Sequence, residues 1–132
     1  MPFRADLVDQ GRALLFVGSG VVTAQEIIDC KHRLLERGDE IGGVTRATVL
    51  LNGLDAFEVT ADQLLEIVEV DGLLARFAPR VRVAVVTDHD YVFAVGATWK
   101  VFMASTGWET AVFRALADAE AWLGIGMIRG TR

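Results

Sequence analysis

Cysteine occurs once in this chain of 132 residues, histidine twice, and lysine only at positions 31 and 100. The lone Cys30 has no partner for an intrachain disulfide, so the fold must rest on its core. His32 and His89 have no second histidine or cysteine at ligand spacing, and no metal is expected. Thirteen basic residues against eighteen acidic ones give a net charge of -5. The basic side chains are dispersed, which argues against a nucleic-acid partner. Eleven arginines against two lysines, with abundant Ala, Val, Leu and Gly, suggest a GC-rich bacterial genome.

Long hydrophobic runs are also scarce. Tyr91 to Trp108 carries Lys100 as its one charge and approaches the length at which a membrane span is considered. It is interrupted by Gly96, Thr98, Ser105, Thr106 and Gly107 and lies between strand-like segments, so a buried or interface helix is the better reading and no stable membrane insertion is expected. At the amino end, Asp6 and Asp9 stand where a signal peptide needs apolar residues, which makes the cytoplasm the expected location.

With 52% hydrophobic residues, the chain has the size and composition of one domain with its own core. Phe3 to Val8 and Arg12 to Val17 read as a hairpin joined by Asp9-Gln10-Gly11. Thr23 to Glu26 has capping-box spacing and opens a helix to Arg37, with Gly38 as its left-handed stop. Ala47 to Asn52 follows as a strand. Thr60 to Gln63 repeats the capping box before a helix that turns Leu64, Leu65, Ile67 and Val68 inward and Asp62, Glu66 and Glu69 outward, until Asp71-Gly72 interrupts it. Val81 to Thr87, with its unbroken Val83-Ala84-Val85-Val86, reads as a strand covered on both faces. A helix from Asp90 to Ser105, a strand from Thr110 to Phe113, and a helix capped by Asp118 and ending at Leu123 complete the domain. Residues 124–132 read as a flexible tail. The order β-β-α-β-α-β-α-β-α implies a single-domain α/β fold with a mixed, largely parallel sheet flanked by helices.

Few residues invite chemistry. Gly18-Ser19-Gly20, with Thr23 and the distant Asp39, imitates half of a dinucleotide fingerprint, but the third glycine is missing and the preceding strand closes a hairpin. His89, between Asp88 and Asp90, suggests acid–base work without any apparent nucleophile to serve, so a polar helix start is preferred. Cys30 reads as a small core residue. Lys31 falls within the apolar arc of the first long helix, where its stem should lie on the core and its ammonium reach water at an edge; anchoring a ligand is the alternative.

The helix from Asp90 to Ser105 is the most unusual segment. Tyr91, Ala94, Val95, Thr98, Val101, Phe102 and Ser105 form an arc suited to the core, and Val92, Gly96, Trp99 and Met103 a second stripe at its side. Charge is nearly absent from the rest, so the helix should be buried more widely than one face requires: by its own fold, in a homodimer, or against an apolar ligand. Gly96 would allow close approach, and Met103 would adapt to varied shapes.

From Gly11 to Leu123 the chain resembles the SpoIIAA-like proteins, free-standing relatives of the STAS domains with a Sec14-like outline. Gly20 to Glu26, Val81 to Val86, Val112-Phe113-Arg114 and Ala119-Glu120-Ala121-Trp122-Leu123 carry the resemblance. It implies a STAS-like fold and, in the wider group, a serine phosphorylated where a strand feeds the second helix. Phe57 to Asp62 occupies that place here, and its one hydroxyl is Thr60. A helix start can accept a phosphate, but a capping role accounts for both Thr60 and Gln63. The expected function is therefore a non-enzymatic cytoplasmic domain, with no cofactor, that binds an apolar small molecule or a protein partner in regulation. Val92, Gly96, Trp99, Met103 and Lys31 are its candidate ligand or interface residues. A switch using Thr60 and an unrecognised enzyme using His89 are the alternatives.

Overall fold

The hydrophobic strands of this chain pair into one mixed sheet in a computed structural model, which describes residues 2–124. The sheet order is β1 (Phe3–Val8), β2 (Ala13–Gly18), β4 (Arg46–Leu50), β6 (Arg82–Val86), β7 (Glu109–Phe113). β1 and β2 are antiparallel and the other pairs parallel. A separate two-stranded parallel ribbon joins β3 (Val21–Thr23) to β5 (Ala56–Glu58). The hairpin turn places Asp9, Gln10 and Gly11 at φ of 53°, 58° and 83°, a left-handed bend in which only the glycine is free of side-chain cost.

Register sorts the strands into two faces. Ala5, Phe16, Val49, Val85 and Val112 form one row across the sheet, with Leu7, Leu14, Ala47, Val83 and Thr110 as its neighbour. This face is covered by α1 (Ala24–Leu35), α3 (Ala61–Phe77) and α4 (Asp90–Met103), with the short α2 (Gly38–Ile41) beside them. On the opposite face Ala84 and Val86 pack under Ala119 and Leu123 of α5 (Leu116–Leu123). β6 is hydrogen-bonded on both sides and covered on both faces, as its unbroken run of small and β-branched residues implies.

Both capping boxes form. Thr23 Oγ1 accepts from the Glu26 amide at 3.3 Å, and Glu26 accepts from the Thr23 amide at 3.1 Å. Thr60 and Gln63 make the same reciprocal pair at 3.2 and 2.9 Å.

The structure corrects several boundaries. Gly38 is not a left-handed stop: α1 ends at Leu35, and Gly38 opens α2 where any Cβ would lie 2.5 Å from the Phe77 ring. Its function is close approach. Asp71-Gly72 does not interrupt α3, which runs unbroken to Phe77; the Asp71 side chain is engaged with other helices and does not compete for its own backbone. Leu65 is exposed, not inward, because the apolar arc of α3 runs through Leu64, Ile67, Val70 and Leu74. Asp118 lies in the first turn of α5, whose N-cap is Ala115. The ribbon strands β3 and β5 are too short to show a periodicity. The expected tail, beyond Gly124, lies outside the described residues.

Candidate functional site

Three helices meet over the centre of the sheet through one carboxylate. Asp71 of α3 accepts from Lys31 Nζ of α1 at 2.6 Å on Oδ1 and from the indole Nε1 of Trp99 of α4 at 2.9 Å on Oδ2. All three residues are buried, with 1% of Asp71, 8% of Lys31 and 7% of Trp99 exposed. Lys31 also lies 5.8 Å from the centroid of the Phe16 ring. An isolated charge at such a depth costs several kcal/mol, which is why the two ions occur as a pair and why both carboxylate oxygens are used.

Two cavities flank this cluster. The larger, of about 70 Å³, is lined by Phe57, Leu64, Val85, Val92, Gly96 and other apolar side chains, with Lys31 and Trp99 at its wall. The smaller, of about 30 Å³, lies on the other side of the same pair, against Ile41, Ala47, Leu74 and Trp108. Among the described residues, Lys31 is the one charged residue bordering the larger space. One water needs roughly 10–15 Å³ measured in this way, so the larger cavity exceeds a single-water void several-fold.

The structure brings together most of the residues singled out on α4, with the faces reversed. Val92, Gly96, Trp99 and Met103 form the buried face, not a stripe beside it. Three of them line the larger cavity, while Met103 packs fully buried and away from it. Of the arc expected to be core, Tyr91, Ala94, Thr98, Val101, Phe102 and Ser105 are exposed, and Val95 is half-buried. Trp99 settles the orientation because its N–H needs an acceptor when buried, and Asp71 supplies one. Gly96 lets α4 close on β7: a Cβ there would stand 3.1 Å from Val112.

Lys31 lays its stem on the core as expected, and its ammonium pairs with Asp71 at 2.6 Å. Asp71 was missed as its partner. The signal was present, since Asp71 shares the apolar arc of α3 with Leu64, Ile67 and Leu74, just as Lys31 shares that of α1. Opposite charges on two facing apolar arcs are expected to pair.

The other candidates stand apart from the cluster. Thr60 is exposed at the head of α3, its hydroxyl engaged by the Gln63 amide. His89 is the N-cap residue of α4, and its Nδ1 is buried without a hydrogen-bond partner among the described residues. The flanking carboxylates are engaged elsewhere, Asp88 by the Gly53 amide at 3.1 Å and Asp90 by Arg114 at 2.9 Å, so neither orients the imidazole. Cys30 is buried, and that burial pushes its thiol up, with Arg33 and Lys31 pulling the other way. Gly20 takes φ of 64° in the turn before β3. None of the described helices is long and apolar enough to cross a membrane; α4, at 14 residues, spans only about 21 Å.

No family model matches the chain, and no curated protein does. Among solved structures it is similar to an uncharacterized protein of the DUF3478 family from Shewanella loihica PV-4, described as having a SpoIIAA-like fold. The superposition covers 92% of this chain and 91% of that one, with a TM-score of 0.58 and 18% sequence identity. The chain thus has a SpoIIAA-like fold.

Proposed function

We propose that this SpoIIAA-like domain is a non-enzymatic, regulatory binding domain that takes up an apolar small molecule between the sheet and the layer formed by α1, α3 and α4. The observation that supports this reading is the larger cavity, walled by Val92, Gly96 and Trp99 and bordered by a single ion, Lys31. Apolar walls with few convergent polar groups are the usual character of a small-molecule site. The cluster itself supports binding over catalysis, because Lys31 and Asp71 pair with one another and among the described residues no nucleophile joins them.

Native mass spectrometry of the purified protein, followed by extraction, tests the reading. The expected result is a co-purified apolar molecule whose removal and return move the Trp99 indole N–H resonance. If no molecule co-purifies and no apolar probe moves that resonance, the reading is wrong.

A second reading is favoured by the outward face of α4, where Val101 is 73% and Phe102 44% exposed. Asp90 stands exposed in the first turn of this helix and Lys100 exposed in the last. Two copies of α4 packed antiparallel about a two-fold axis would cover Val101 and Phe102 of each. Sedimentation of the wild type and of Val101→Glu tests it: a dimer dissociated by the substitution is expected, and a wild-type monomer at high concentration refutes it.

A further inference from the structure

Lys31 has more hydrogen-bonding capacity than its partner uses. An ammonium carries three donors, and among the described residues Asp71 is its one hydrogen-bond acceptor, at 2.6 Å. The Phe16 ring face takes up part of the remaining positive field at 5.8 Å. Lys31 also borders both cavities, so its side chain has apolar space on two sides. The Trp99 N–H, by contrast, is already engaged by Asp71.

Charge accounting then selects the head group of a ligand. Lys31 and Asp71 together are neutral, and a neutral acceptor oxygen can accept one Lys31 N–H without changing that balance. A carboxylate would leave the chamber with a net buried negative charge, which costs more than one further hydrogen bond returns. A hydrocarbon would leave the same donor unmatched. Building on the binding reading above, we infer that the chamber selects small, uncharged molecules with an apolar body and one acceptor oxygen, of the ketone or aldehyde class, anchored by Lys31. Lys31 acts as a positioning and specificity residue, Asp71 keeps it neutralised, and no bond is made or broken.

Two shape-matched probes and one anionic probe on the same ring separate the possibilities. Cyclopentanone, methylenecyclopentane and cyclopentanecarboxylate are titrated into the protein and followed by the Trp99 indole N–H resonance. The ketone is expected to bind about ten- to a hundredfold more tightly than the hydrocarbon, the span of one net hydrogen bond from a charged donor. The carboxylate should bind no better than the hydrocarbon. In the paired variant Lys31→Met/Asp71→Leu, which removes both charges together, the preference of ketone over hydrocarbon should vanish while hydrocarbon binding persists. Equal binding of ketone and hydrocarbon by the wild type would overturn the inference and leave the binding reading intact. Tightest binding by the carboxylate would also overturn it. If none of the three moves the resonance, the inference is overturned, and if no molecule co-purifies either, the binding reading fails with it. The wild-type ranking decides whether or not the paired variant folds.

Discussion

At the scale of single residues, the protein depends on how two buried charges are compensated. Lys31→Met strips the buried Asp71 carboxyl of its ion-pair partner and leaves it only the Trp99 N–H, which should cost about 3–5 kcal/mol in urea unfolding. Adding Asp71→Leu removes the stranded carboxyl, and the paired variant should recover to within about 2 kcal/mol of the wild type. A paired variant as unstable as the single one would contradict this. Cys30 provides a pH probe. Because burial raises its folded-state pKa, the unfolded chain releases the thiol proton first. The contribution is therefore complete below the unfolded value of about 8.5 and declines as pH rises past it. Native Cys30 should react slowly with iodoacetamide at neutral pH, and Cys30→Ala should lose less stability than the wild type between neutral and alkaline conditions.

At the scale of elements, the two long capped helices and α4 behave differently. Thr60→Ala removes one half of a reciprocal cap and should lower stability by about 1 kcal/mol, with Thr60→Asp retaining most of it; thermal or urea unfolding measures both. α4 has no such local signature and is held by what it buries. Trp99→Glu would place a second carboxylate beside Asp71 and should unfold the protein, seen as loss of the native circular dichroism. Val101→Glu, on the outward face, should change monomer stability by less than about 0.5 kcal/mol. If both variants fold equally well, the assignment of the faces of α4 is wrong.

For the whole molecule, the mixed sheet sets the order of stability. β2, β4 and β6 are paired on both sides, whereas β1 and β7 are edges and the β3–β5 ribbon stands alone. Amide hydrogen exchange should be slowest in β4 and β6, faster at the outer edges of β1 and β7, and faster again in the ribbon. The polar cluster connects three helices above that slow centre, so the paired variant should accelerate exchange in α1, α3 and α4 more than in β4. Uniform acceleration would show that the cluster does not act as a local tie.

The sequence by itself determined the α/β class, the opening hairpin, the central strand at Val83 to Val86 and the two capping boxes. Each of these is a local pattern: a period of two, a period near 3.6, or a side chain that bonds its own backbone three residues away. The short strands β3 and β5 were not legible, since three residues carry no period and pair only with each other across distant positions. The orientation of α4 was not legible either. A helix apolar on nearly every side has no polar contrast to fix its rotation, and only the approach of β7 at Gly96 and the acceptor at Asp71 decide which stripe turns inward. The candidate site has the same division. Lys31, Trp99 and the stripe beside Trp99 could be picked out as unusual for their surroundings, but the pairing of Lys31 with Asp71, forty positions away, exists only where tertiary packing sets the two apolar arcs face to face. The energy of that contact depends on the water both charges lose when the core closes.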